Sequence, residues 1–246
     1  MDWREGGGTR WLEAALPGAR AIFSTRLGGV SEGPYSSLNL GILTGDERDR
    51  VVANRQRLCA ATGIDPEGVV IARQVHGARI VVHEGPQSPP SWPAPGADPP
   101  EADGHLVDRS GLAALVLVAD CLPVALAGRE GLAMLHCGWR GLAAGIVGAG
   151  AEAVGASAAA IGPGIGACCY EVGEEVLAAF APLGPGLAAG RMLDLAAVAR
   201  RLLERAGVER IEVAGVCTRC ELETFFSHRG EGPDTGRQAG IVVGSG

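Results

Sequence analysis

The chain has 246 residues, 47% apolar and 20% charged, the usage of an ordinary globular protein and not of a disordered one. All 21 basic residues are arginine, which excludes a lysine Schiff base, a lysine-anchored phosphate loop and a serine–lysine dyad. A formal net charge of −7 argues against a nucleic-acid partner, which needs a basic surface to neutralise phosphates.

Seven cysteines, an odd number, and an opening MDWREGGG without the basic-then-apolar pattern of a secretory signal predict a reduced, cytoplasmic chain with free thiols. The most apolar stretch, residues 111–128, is long enough to suggest a membrane span, but it contains Asp120 and Pro123. A central aspartate costs about 2.5–3.5 kcal/mol on insertion, so the stretch reads as buried sheet and no membrane partner is expected.

In chain order, residues 1–18 begin Gly-rich and are expected to be frayed, and 19–26 (ARAIFSTR) form a strand. The Gly/Ser/Pro-rich segment 27–41 is too turn-rich for regular structure. Asp46 is expected to cap a helix running to Thr62, with Gly63 as its stop. Val69–Val75 and Arg79–His83 read as strands on either side of a turn at His76-Gly77. Residues 84–104 form a proline-rich loop, since 86–100 hold seven of the chain's 15 prolines; it is an exposed loop within one domain or a lid over a site.

Leu112–Ala119, Val124–Ala127 and Leu132–His136 are apolar strands, and Trp139 to about Val154 is helical. A run ending at Ile161 leads into the tight loop GPGIGA (162–167). Glu171–Phe180 and Leu195–Ala206 are amphipathic helices, the second flanked by Asp194 and Gly207, and Ile211–Val216 is the final clear strand. Some neighbouring strands are too close for helical crossovers, so the expected class is mixed α+β, or α/β with mixed sheets, in a single domain over 1–246.

Three polar residues stand at the ends of apolar strands: His76, Cys121 and His136. Two imidazoles and a thiolate suit zinc with a fourth position open, but their spacing matches no short metal motif. They are either a shared metal set or three unrelated strand-end residues, with Cys121 a small buried hydrophobe. Arg140, at the expected helix start, could receive a phosphate or carboxylate. Asp120 either orients a ligand or caps the next turn. Cys137 should point to the opposite strand face from His136. Cys217-x-x-Cys220 is a pair without a second pair nearby in sequence, and the adjacent Cys168 and Cys169 are poorly placed to bond to each other. GPGIGA formally matches a dinucleotide fingerprint, but its proline and the CCYEV that follows favour a simple loop.

RQVHG (73–77), ADG (102–104), ADCLPV (119–124), HCGWRG (136–141), GPGIGACCYEVG (162–173), VCT (216–218) and FFSHR…TGRQA (225–239) together resemble the YfiH/PgeF family, from about Ala21 to Val242. Its members are also labelled laccase-domain proteins, polyphenol oxidases or purine nucleoside phosphorylases. The resemblance implies one domain of layered mixed sheets flanked by helices, a cysteine-hydrolase-like fold, with zinc on His76, Cys121 and His136. It adds Asn39, in SSLNLG, as a substrate contact beside Cys121, His136 and Arg140. HCGWRG replaces the commoner HAGWRG, and FFSHRGEG lacks the second arginine of the usual SHRRDG, which bears on anion binding there.

The implied activity is phosphorolysis of adenosine, inosine or methylthioadenosine, with purine nucleosides and phosphate as partners and adenosine deamination as a second reaction. The main alternative is peptidoglycan-precursor editing, removing L-Ser from UDP-MurNAc-L-Ser, as a zinc hydrolase or with Cys121 as nucleophile and His136 as base. Copper phenol oxidation is a further reading, but five histidines cannot fill a multicopper set. A non-enzymatic nucleoside-binding module would need a fourth ligand such as Cys137 to close its zinc site. The oligomeric state is open, a monomer being compatible with all of these.

Overall fold

A computed structural model describes residues 1–41, 43–85, 92, 99–108 and 111–245. Most of the proline-rich stretch 84–104, and with it the choice between loop and lid, lies outside the described residues.

The chain opens with β1 (Asp2–Gly6), β2 (Thr9–Leu16) and β3 (Ala19–Ser24), followed by α1 (Arg48–Thr62). Next come β4 (Val69–Val70), β5 (Ile80–His83), β6 (Gly104–Val107), β7 (Ala113–Val118), β8 (Leu122–Gly128) and β9 (Gly131–Cys137). Helices α2 (Trp139–Ala143) and α3 (Ile146–Val154) lead into β10 (Ala156–Ile161) and α4 (Glu174–Phe180). The small hairpin of β11 (Ala188–Ala189) and β12 (Met192–Leu193) precedes α5 (Leu195–Arg205). The chain then forms β13 (Arg210–Val213), α6 (His228–Glu231) and β14 (Gln238–Gly244).

Two six-stranded mixed sheets result, in the orders β1-β2-β3-β14-β7-β4 and β13-β10-β8-β9-β6-β5. Strand alternation explains how they stack. On β8, Val124 and Leu126 pack under α3, α4 and α5, while Ala125 and Ala127 face Ala114, Val116 and Val242 of the other sheet. The far side of that first sheet, through Ile22, Leu115 and Ile241, is covered by Leu58 and Cys59 of α1. The layers are therefore helix, sheet, sheet, helix. Strands buried on both faces need apolar residues on both, which is why the central runs show no polar alternation. Small residues let the sheets close up: a Cβ added at Gly240 would sit 2.3 Å from Pro123 Cβ.

The structure corrects several sequence expectations. Residues 2–16 are not frayed, because β1 pairs with β2 and β2 with β3, burying Trp11, Leu12 and Ala14. Glu47, not Asp46, stands at the start of α1, and the Asp46 carboxylate accepts from Ser31, Asn39 and the Glu47 N–H. Only Val69–Val70 of the 69–75 run pairs as strand; further along, the Gln74 amide both donates to and accepts from the Leu117 backbone, replacing the ladder. The helix predicted over 139–154 breaks at Gly145, whose φ of +89° suits glycine alone. Beyond Val216 the sequence predicts no strand, yet β14 is central to its sheet, between β3 and β7. Residues 111–128 divide between two strands of different sheets, and no helix among the described residues is long and apolar enough to cross a membrane.

Arg55 of α1 is buried, donates to the Leu40 and Trp92 carbonyls and stacks 4.4 Å over the Trp92 ring. Arg55→Ala strips both carbonyls of their partner and leaves a cavity, so chemical denaturation should register a loss of roughly 2–4 kcal/mol.

Candidate metal centre and cleft

Two passages of the chain from one sheet to the other carry the candidate ligands. His76 lies on the crossover from β4 to β5, and Cys121 on the crossover from β7 to β8. The third, His136, is on β9, where register pairs it with Pro123 just beyond Cys121. The sheet seam thus gathers three residues far apart in sequence, and their candidate ligand atoms all lie within 4.8 Å of one another. The His76 and His136 rings meet edge to face, with centroids 4.8 Å apart.

Asp103, which the sequence reading assigned no role, organises this trio. Fully buried just ahead of β6, its carboxylate accepts from His136 Nδ1–H at 2.7 Å and from the backbone N–H groups of Val75, His76 and Gly77. The same carboxylate therefore holds the His76 loop, where His76 sits at φ +60°, and turns the other nitrogen of His136 towards Cys121. Burial alone would raise the Asp103 carboxyl, but these donors hold it below the usual range. Its sequence signal was slight: an acidic residue at the mouth of an apolar strand, within the ADG block.

Electrostatics couple Cys121 to its neighbours. Burial would raise its thiol, but the His136 charge and hydrogen bonds from His136 and His76 bring it down to about 6. Burial would lower His136, yet the Cys121 thiolate and Asp103 push it up to about 9. Gly138 keeps the space clear: a Cβ there would stand 3.0 Å from Cys121 Sγ and 3.2 Å from His76 Cδ2. Cys137 points away, buried beneath the helices with a thiol raised by that burial, and is not one of the gathered donors.

The trio opens onto a cleft of about 430 Å³. Arg73, Arg140, Arg229 and Arg237 line it together with Trp139 and Tyr170. Arg140 stacks 4.4 Å over the Trp139 ring. Because α2 is only five residues long, the guanidinium matters more here than the helix end. Arg229, Arg237, Tyr170 and His228 are lining residues that the sequence reading did not single out; they lie in or beside the quoted blocks, separated by long stretches of chain.

Two sequence candidates are engaged with the surrounding chain. Asn39 is fully buried, donates to Thr44 and Asp46, accepts from the N–H groups of Gly41 and Arg237, and does not line the cleft. With both donors and both acceptor sites engaged, it shapes the wall through Gly41, Thr44 and Arg237. Asp120, at φ +89°, lines the cleft beside Cys121, and its carboxylate accepts from Thr218 Oγ1, Ser227 Oγ and the Arg229 N–H, which anchors the C-terminal loops.

The sequence pattern of the family described as multi-copper polyphenol oxidoreductase laccase matches residues 20–245. The chain is 39% identical over 238 residues to the purine nucleoside phosphorylase YfiH of Escherichia coli K12, covering 92% of this chain and 93% of that one. It is 36% identical over 266 residues to the purine nucleoside phosphorylase YlmD of Geobacillus stearothermophilus, covering 94% and 93%. The crystal structure of that YlmD superposes with a TM-score of 0.86 at 34% identity over 99% of this chain and 98% of that one. A Bacillus licheniformis hypothetical protein YfiH superposes with a TM-score of 0.88 at 30% identity over 99% of both.

Asp103→Asn keeps the shape but removes the charge that holds His136, and should weaken divalent-metal binding at this centre about 10–100-fold in a competitive chelator titration. In metal-free protein, the Cys121 alkylation rate should rise with pH and level off above about 6, the thiolate being the reactive form, where an ordinary thiol levels off above about 8.5. Rates followed by mass spectrometry from pH 4 to 9 check this, and a divalent metal held by the trio should protect the sulfur.

Proposed function

Because the chain belongs to the family described as multi-copper polyphenol oxidoreductase laccase, and resembles YfiH and YlmD over nearly its whole length, we propose that it is a zinc-dependent purine nucleoside phosphorylase. Adenosine, inosine and methylthioadenosine are its substrate class. The observation that carries this reading is the adjacency, in one cleft, of a His₂Cys donor set and a wall of guanidinium groups.

The donor set fits zinc: two imidazoles and a thiol, one imidazole braced by a carboxylate, and no fourth protein donor in the gathered set, as in catalytic zinc sites. Copper fits less well. Met134 is fully buried between the sheets and does not line the cleft, and His83 and His105 pair with each other at 3.0 Å away from it. Zinc held by His76, Cys121 and His136 supplies Lewis acidity, which also suits loss of the adenosine 6-amino group as a second activity.

In phosphorolysis a phosphate oxygen bonds to C1′ of the ribose as the bond from C1′ to the base nitrogen breaks. The base leaves with the bonding pair and gains a proton, giving ribose 1-phosphate. Arg140, Arg229 and Arg237 hold the phosphate, and Trp139 and Tyr170 offer flat faces to the purine. Asp103 keeps the proton on His136 Nδ1 throughout.

A second reading is favoured by one observation. Without metal, Cys121, His136 and Asp103 form a nucleophile, a base and an orienting carboxylate, with the thiol already lowered. That arrangement suits amide hydrolysis of a serine-bearing muramyl nucleotide. Metal content separates the two readings, since Cys121 cannot be both a tight ligand and a free nucleophile.

His76→Ala should lose the zinc of the cleft and phosphorolysis together; a His76→Ala protein with that site empty but turning over nucleosides normally would overturn the metal reading. Arg140→Ala should raise the KM for phosphate about 10–100-fold while moving the nucleoside KM little, measured with both substrates varied.

A further inference from the structure

The four cysteines that sequence spacing left as two unrelated pairs come together in the fold. Cys168 and Cys169 lie on the turn after GPGIG, and Cys217 and Cys220 on the turn after β13. The passages run side by side: Gly164 bridges Cys217, and the Thr218 N–H donates to the Gly164 carbonyl at 3.0 Å. All four sulfurs lie within 4.8 Å of one another. Cys220 Sγ is 3.5 Å from Cys168 Sγ and 3.4 Å from Cys169 Sγ.

These separations discriminate between the chemistries open to a thiol cluster. A disulfide brings two sulfurs to about 2.05 Å and chooses one partner, whereas Cys220 is nearly equidistant from two. Four thiolates around zinc at about 2.3 Å form a tetrahedron whose edges are about 3.8 Å, close to the spacing seen. The backbone is arranged for thiolates too. The Gly166 N–H donates to Cys217 Sγ at 3.2 Å, and the Cys220 and Glu221 N–H groups fold the turn by donating to the Cys217 carbonyl. Each turn presents two sulfurs to a common centre, and none of the four lines the candidate active cleft.

We propose that Cys168, Cys169, Cys217 and Cys220 form a second, structural zinc site, closed by four thiolates. It is independent of His76, Cys121 and His136 and stands whether or not the function proposed above does. Its place in the fold gives it a purpose. The first turn leads directly into Tyr170 on the cleft wall, and Thr218 on the second holds the Asp120 carboxylate beside Cys121. A zinc ion there staples together two loops that the backbone links by few hydrogen bonds.

The decisive experiment uses His76→Ala, which disables the first site. Elemental analysis of this protein purified under reducing conditions should find one zinc per chain, and Cys217→Ser/Cys220→Ser added in that background should remove it. Cobalt exchanged into the His76→Ala protein should show the intense near-ultraviolet sulfur-to-cobalt bands of a tetrathiolate centre. Zinc content unaffected by the cysteine substitutions would overturn the proposal. So would a His76→Ala protein without zinc, or one whose mass falls short by the two hydrogens of a disulfide among these cysteines. Should the serine variant fail to fold, the cobalt spectrum decides alone: no sulfur bands, no site.

Discussion

One buried carboxylate holds the centre of this molecule together. Asp103 is fully enclosed, and four hydrogen bonds from two parts of the chain converge on it. A carboxylate taken from water is tolerated only when such donors replace its hydration. Because three of those donors are backbone groups of the His76 loop and the fourth is His136, satisfying the charge also sets two of the three rings and sulfurs at the seam. Stability and site geometry are here the same set of bonds.

The seam exists because two sheets press together on small residues. Ala114, Ala125, Ala127, Ala158 and Ala160 fill the space between them, and the crossovers from β4 to β5 and from β7 to β8 emerge at its edge. Much of this could be read from sequence. The runs that became β7, β8 and β9 were legible because burial on both faces demands unbroken apolar residues, and the positions of Cys121 and His136 beside strand ends followed from the same runs, whereas His76 lies on a crossover well past the end of β4. The helix α5 was legible from Asp194, whose side chain accepts the Ala197 N–H at its start.

What escaped has physical reasons. β1 and β14 carry polar or glycine-rich sequences whose strand character comes from their neighbours: Gly240 is in β14 because Pro123 leaves no room for a side chain. Asp103 escaped because a buried acid looks like a turn acid until its donors are known. The grouping of Cys168 and Cys169 with Cys217 and Cys220 depends on a parallel approach of two loops, which no local spacing encodes. Asn39 shows the converse, a residue conspicuous in its motif whose amide turns out to be fully engaged inside the wall.

The wall of the cleft is built from guanidinium groups in a chain without a single lysine. Guanidinium keeps its proton across the whole range in which proteins work. The share of the attraction on an anionic reactant that comes from this wall is therefore constant with acidity. Any acid or alkaline decline in turnover then originates in the groups around the guanidinium wall, the sulfur, the imidazoles, the Asp103 carboxylate and Tyr170, or in the reactant itself.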